Sequence, residues 1–374
     1  MWMLLALFAF GAQAAQARVI TVDDNGADCK KADFTSIQAA VDAASPNDTI
    51  KVCAGTYVEQ VTIPAGKNGL TLRSQVPEAA VIKAPPVMAD PKAIVRVNGA
   101  QNVTIDGFTI AGPGGGPCDS IRYGVRVDGG GSATISQNHI VDIHDTPLGG
   151  CQNGNAIQVG RVSEGQTGRA TIFKNKIERY QKGGIVISNT GSSAEIRDNE
   201  ITGIGPTAVI AQNGVQISGG ATAVVLNNVI SQHQYTPQTF ASAGILLFEP
   251  GAVTIAHNIL SYNDESIYSQ DAAAPDIQHN RLSFNTFDGI GLIGTTNGII
   301  GHNFSENNGF DGIFVDSDSA GNIITNNQME ANAEHDAHDD SAGTGTAGTA
   351  NTWENNHCGS LNPENRPGLC DHDH

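Results

Sequence analysis

Basic residues are scarce in this chain of 374 residues: 20 Lys and Arg stand against 38 Asp and Glu, a net charge of −18. A surface that acidic repels phosphate backbones and anionic lipids, which excludes an unassisted grip on nucleic acid or on an anionic membrane. It also disfavours polyanionic substrates unless a cation bridges them, which makes calcium the cofactor to consider. Aromatic residues are few, at 5%. Beyond the N-terminus there is no long apolar run, so no other transmembrane segment is expected. Helix-period stretches are almost absent too. No repeated segment is long enough for a crossover helix, and this rules out helices layered on a parallel sheet.

What the chain does have is repetition. Between Gly124 and Met329 two short phrases alternate. One is a small residue followed by an aliphatic pair spaced by one: GVRV at Gly124, AIQV at Ala156, GIVI at Gly184, GVQI at Gly214, GILL at Gly244, GIGL at Gly289 and GIFV at Gly312, with SIYS at Ser266 a weaker copy. The other, from ISQNHI at Ile135 to ITNNQM at Ile324, sets an Asn three places after an aliphatic residue. Those Asn fall at 138, 175, 199, 228, 258, 280, 303 and 327, successive members 22 to 37 apart. A period of that size signals stacked repeats. Each phrase alternates as a short strand does. The fold class that follows is all-β: a right-handed parallel β-helix, in which the repeated Asn stack as an amide ladder between coils about 4.8 Å apart.

The ends read differently. Residues 1–17, MWMLLALFAFGAQAAQA, are expected to be a signal peptide cleaved after Ala14 or Ala17, which makes the protein secreted or periplasmic. In FTSIQAAVDAA (34–44), Ile37, Ala40, Val41 and Ala44 have helical spacing and predict an N-terminal capping helix. The β-helix with this cap is assigned to 18–330, and 331–374 to a C-terminal cap with an acidic, His-rich tail. Within that tail EHDAHDD (334–340) and CDHDH (370–374) read as solvated, mobile ends with at most weak affinity for calcium or zinc. Capped ends favour a monomer over end-to-end polymers. The six cysteines form three groups, Cys29 with Cys53, Cys118 with Cys151, and Cys358 with Cys370. An even count in an exported chain implies disulfides; connectivity is open, with neighbour pairing favoured because Cys118 and Cys151 lie in corresponding loops of adjacent coils.

The stretch DFTSIQAAVDAASPNDTIKVCAGTYVEQVTI resembles the opening of the pectate-lyase-like β-helix superfamily, including its pectin-esterase branch, and the later phrases are similar to the general right-handed β-helix repeat. The closing GTAGTANTWENNHCGSLNPENRPGLC resembles the end of many exported bacterial β-helix proteins, which implies a cap stapled by Cys358 and Cys370. The resemblance implies a fold and a polysaccharide or cell-surface glycan partner. It carries no catalytic residue, because the paired-Asp motifs of polygalacturonases, the QDT and LGRPW elements of pectin esterases, the RxPxxR element of pectate lyases and the DPHE element of alginate epimerases are all absent. The functional expectation is an exported β-helix that binds a polysaccharide and, as an enzyme, cleaves or modifies it as a lyase, hydrolase or epimerase. Two alternatives stand beside it: a non-catalytic glycan-binding module, and a periplasmic metal-handling protein with some resemblance to the copper-associated β-helix proteins of nitrous-oxide reductase assembly.

Stacking in register turns equivalent positions into columns. The third position of the GIxI phrase should face outward, giving Arg126, Gln158, Val186, Gln216, Leu246, Tyr268, Gly291 and Phe314. From this column and the one two places on, Arg126, Gln158, Gln216, Phe248, Tyr268 and Phe314 form a candidate sugar-binding set, polar at one end and aromatic at the other; an ordinary strand face is the competing reading. Insertions at 111–123, 141–155 and 231–243 should crowd one edge, where function often sits. Four places past its Asn, Asp142 should meet Arg179, with His144, Asp145, Tyr180, Lys182 and His233 nearby. A base and a cation are what β-elimination needs, so Asp142, Arg179, His144 and Lys182 are the catalytic candidates. Asp142 with Asp145 suits glycoside hydrolysis instead, and a solvated ion pair is the plain alternative. His257, His279 and His302 should stack about 4.8 Å apart. A shared transition metal is conceivable there, but Gln137, Lys174, Asp198 and Asn227 hold the same place in other coils, so the column reads as a polar turn site and no metal is assigned.

Overall fold

A computed structural model describes residues 17–240 and 242–371; of the expected leader 1–17, all but Ala17 lies outside the described residues. The alternating phrases form strands because inward aliphatics at every second position find partners in the coils on either side. Each coil visits three parallel sheets in turn. Sheet A has 13 strands, from Val19–Val22 to Thr352–Glu354; sheet B has 12, from Gly55–Val58 to His357–Cys358; sheet C has 11, from Val61–Pro64 to Ala337–Asp339. This is the expected right-handed parallel β-helix. In sheet A, Ile105, Ile135, Ile172, Ile196, Val225, Ile255, Ile277, Ile300 and Ile324 are register neighbours along one inner column, each with no exposed surface.

Register is set at the turn from sheet A to sheet B. The residue before each ladder Asn is left-handed, with φ between 54° and 59° at Gln137, Lys174, Asp198, Asn227, His257, His279, His302 and Asn326. The Asn that follows is buried, and its amide bonds in three directions. The Asn228 side chain donates to Asn258 Oδ1 (3.0 Å) and to the Ile196 carbonyl (3.0 Å), and its own oxygen accepts from Asn199 Nδ2 (2.9 Å). The chain of amides runs unbroken from Asn138 to Asn356. A second ladder follows sheet B: Asn263, Asn285, Asn308 and Asn332, ending on Asp336 Oδ1 at 2.7 Å. Sequence reading missed it, although NILSYN, NRLSFN, NFSENN and NQMEAN show the spacing.

Both ends are closed. Helix Ile37–Ala43 buries Ile37, Ala40 and Val41 over the first coil, and the Glu59 carboxylate accepts the backbone N–H groups of Ile37 and Gln38 at 2.8 and 2.9 Å. At the other end the ladder continues past residue 330, and EHDAHDD is not a mobile tail. Ala337–Asp339 pairs with Ile313–Val315 in sheet C, and Asp336 and Asp339 are buried. The physical reason is acceptor supply: the last amides need a terminal acceptor, and Asp339 also takes the Trp353 indole N–H at 2.8 Å. Of CDHDH only Cys370 and Asp371 are described. Disulfides join Cys29–Cys53, Cys118–Cys151 and Cys358–Cys370, the neighbour pairing.

Replacing a ladder amide strands several buried groups, each worth about 1–3 kcal/mol. Asn228→Ala is therefore expected to destabilise the protein by about 3 kcal/mol or more in urea unfolding, against about 1 kcal/mol for Asn326→Ala, which gives up only the asparagine preference of an exposed left-handed turn position. Equal losses would show that the ladder does not hold the coils together.

Candidate functional site

Four long connections join sheet B to sheet C: residues 112–122, 142–154, 203–212 and 232–242. They rise beside the outer face of sheet C and make it a groove. Along its floor Gln158, Val186, Gln216, Leu246, Tyr268, Gly291, Phe314 and His338 are successive register neighbours. A cavity of about 470 Å³ lies over Leu246, Phe248 and Tyr268, walled by Lys182, Ala211, Tyr235 and Phe240. A second, of about 350 Å³ over Gln158, Val186 and Gln216, shares Gln152 and Lys182 with the first. Arg126 belongs to the column but is 1% exposed. It is paired with Asp128 at 2.6 Å and with Glu164, and sits over the Tyr123 ring. The loop carrying Glu164 covers it, so it is not open to a ligand.

A column of acids runs up the same face, three positions before Tyr268, Gly291, Phe314 and His338. Glu265, Asp288, Asp311 and His335 succeed one another there. Each carboxylate accepts the backbone N–H of the next coil: Glu265 from Asp288, Asp288 Oδ1 from Asp311 at 2.8 Å, and Asp311 Oδ1 from His335 at 2.9 Å. That leaves Glu265 Oε2 and Asp288 Oδ2 outside this row of bonds, while Asp311 Oδ2 meets His338 Nδ1 at 2.8 Å. Glu265 is 5% exposed, and its Oε2 is buried with no hydrogen-bond partner. Gly291 opens a hollow at this point. A Cβ there would lie 3.6 Å from Glu265 Oε2, 3.9 Å from Asp288 Oδ2 and 3.4 Å from the Tyr268 ring. The sequence carries a signal for this pair, FDGI at Phe287 and again at Phe310, which sets each acid immediately before the strand glycine.

The expected catalytic group is only partly assembled. Arg179 holds Asp142 by two bonds, Nε to Oδ1 at 2.7 Å and Nη2 to Oδ2 at 3.1 Å, and His144 Nε2 is 3.9 Å from Asp142 Oδ1. Both Asp142 and Arg179 are left-handed turn residues, with φ of 58° and 52°. The Arg179 bonds hold the Asp142 carboxyl below its ordinary range, which weakens it as a base. Lys182 is separate: it lines the groove and donates to the Ala211 carbonyl at 2.6 Å, and burial lowers its pKa. Asp145 has no exposed surface. Burial opposes its charge, but bonds from Ser120 and Gln181 prevail and keep its pKa low, so it cannot serve as an acid. Tyr180 and His233 are fully buried and bond each other. His257, His279 and His302 do stack, with ring centroids 5.0 and 4.7 Å apart.

The sequence matches the family described as "Right handed beta helix region" over residues 93–242, 155–329 and 243–363. The chain belongs to that family. Among solved structures, this β-helix protein is similar to the Azotobacter vinelandii mannuronan C-5 epimerase AlgE4 A-module, with TM-score 0.63 and 14% identity over 90% of this chain and 95% of that one. It is similar to an alginate lyase from Paenibacillus sp. str. FPU-7, with TM-score 0.54 and 16% identity over 78% and 95%. It also resembles the GH136 lacto-N-biosidase from Eubacterium ramulus, with TM-score 0.51 and 12% identity over 83% and 64%. At these identities the likeness is one of fold. No curated protein matches the sequence.

Burial, reinforced by the neighbouring Asp288, pushes the Glu265 carboxyl well above its ordinary range. Burial likewise lifts Asp288, to about 7 from an ordinary 3.8, with the Asp311 charge adding to it. Between those two values the native β-helix holds a proton that the unfolded chain has released, so its stability falls as pH rises through that window. Asp288→Asn is therefore expected to melt above the parent protein on the alkaline side of the window and together with it on the acid side. Melting curves at both ends check this; an advantage independent of pH would contradict it.

Proposed function

We propose that this β-helix protein is an exported glycan-cleaving enzyme whose groove on sheet C holds a polysaccharide and whose Glu265 and Asp288 perform the acid–base chemistry. The observation that carries the reading is the Gly291 hollow, where two carboxyl oxygens and an aromatic ring converge on one small space. Hydrolysis of a glycosidic bond needs one carboxyl protonated near neutrality and a second to act on water or on the sugar. Asp288, lifted to about 7, is partly ionised near neutrality, where a general base works best. In this step Glu265, kept protonated by burial, gives its proton to the leaving glycosidic oxygen as the C–O bond breaks, while ionised Asp288 takes a proton from the water whose oxygen bonds to the sugar carbon.

Phe248, Tyr268 and Phe314 give sugar rings apolar surfaces to lie on, beside the polar Gln216, whereas Gln158 is 1% exposed and its amide is taken by Asn155 and the Gly160 carbonyl. The acidic groove favours an uncharged glycan over a polyuronate. Three neighbours in fold act on mannuronan, on alginate, or as a lacto-N-biosidase, which supports a glycan as the substrate class. Three disulfides support export to an oxidising compartment. No helix among the described residues is long and apolar enough to cross a membrane.

A polysaccharide panel assayed for new reducing ends tests the reading. Glu265→Gln and Asp288→Asn are each expected to lower kcat by about 100-fold or more. Gly291→Ala should fold, since its new Cβ meets nothing nearer than 3.4 Å, yet lose kcat/KM by filling the hollow. Arg179→Ala should stay active. Loss of activity in Arg179→Ala with Glu265→Gln intact would move the chemistry to the Asp142 turn. Unsaturated products would point to elimination instead, and glycan binding without products to a binding module.

A further inference from the structure

One coil beyond Asp288 the acid column changes character. Asp311, His335 and His338 converge, with His338 Nδ1 2.8 Å from Asp311 Oδ2 and His335 Nδ1 3.3 Å from Asp311 Oδ1. One donor atom from each residue lies within 4.8 Å of the other two. The two rings stand edge to face with centroids 5.0 Å apart, so their nitrogens approach the carboxylate from different directions. His335 Nδ1 is buried and makes no hydrogen bond, although it points at that carboxylate. On its far side His338 Nε2 meets Asp340 Oδ1 at 3.1 Å, which fixes the ring with Nδ1 turned toward Asp311 as the metal-facing atom. Asp311 is 4% exposed, His338 17% and His335 33%, so the cluster is anchored in protein and open on one side.

We infer that Asp311, His335 and His338 form a binding site for a divalent transition ion of the zinc type. Two imidazoles and one carboxylate are the donors such ions take, and three protein ligands leave a position for water or a ligand. Calcium, which wants six to eight oxygens, does not fit this set. The site is distinct from the His257, His279 and His302 stack, whose rings are parallel within 5° and 9° and present no converging nitrogens. An ion here sets a positive charge next to the acidic end of the groove, on the coil after Asp288.

Titration of the full chain, stripped with chelator, with Zn²⁺ by calorimetry and with Co²⁺ by visible absorption tests the inference. The expected result is one ion per chain, Co²⁺ bands of low coordination number, and a rise in melting temperature with metal. His335→Ala and His338→Ala should each weaken binding by about tenfold or more. His279→Ala and a chain ending at Asp371 should bind as the parent does. Where His335→Ala lowers the metal-free melting temperature, His335→Gln, closer in size, takes its place. No binding by the parent, or unchanged affinity in both histidine variants, overturns the site. The readout is metal stoichiometry, so it is unaffected by whether Glu265 and Asp288 cleave a glycan.

Discussion

A buried asparagine amide has two donors and an acceptor to satisfy, and in this fold only the coils above and below can satisfy them. Once Asn228 must meet Asn199 on one side and Asn258 on the other, sliding a coil by one residue breaks bonds on both sides at once. The left-handed residue before each Asn makes the corner sharp enough for this, and the inner aliphatic columns add apolar burial that depends on the same register. Side-chain identity at the corner is thus nearly free, which is why Lys174, Asp198 and His279 are interchangeable there.

Rigid register has a consequence for chemistry. Side chains that would repel one another in a flexible chain are held side by side, and Glu265, Asp288 and Asp311 are the main case. Backbone N–H groups take one oxygen of each and so anchor it. The remaining oxygens of Glu265 and Asp288 meet beside Gly291, where burial raises both carboxyls. The fold spends some stability to hold them there, as is common where acids are positioned for proton transfer. At Asp142 and Arg179 the same geometry gives the opposite result: two opposite charges meet at an exposed corner and neutralise each other.

Most of the architecture was legible in the sequence because the repeat is written twice per coil, once in aliphatics and once in Asn. The column containing Tyr268 and Phe314, the edge crowded by insertions, the meeting of Asp142 with Arg179 and the histidine stack all follow from counting. What counting could not supply was depth. Arg126 and Asp145 look like surface charges in a linear text, but loops bury both. Glu265 sits in the weakest copy of its phrase, and Asp288 falls just before the glycine that marks the strand, so neither stood out. The strand formed by residues 337–339 was obscured by its own composition, since a run of His and Asp reads as solvent-exposed until an unsatisfied ladder requires acceptors.

Spin labels at Glu195→Cys and Ile323→Cys give the most direct test of the stacking on which the groove, the acid column and the metal site depend. Val224, Thr254, Asp276 and Ile299 stand between them in register, so the labels are five coils apart on the outside of sheet A. At about 4.8 Å per coil the account predicts a narrow backbone separation of about 24 Å by pulsed electron resonance. A broad distribution, or one centred far from that value, would contradict it.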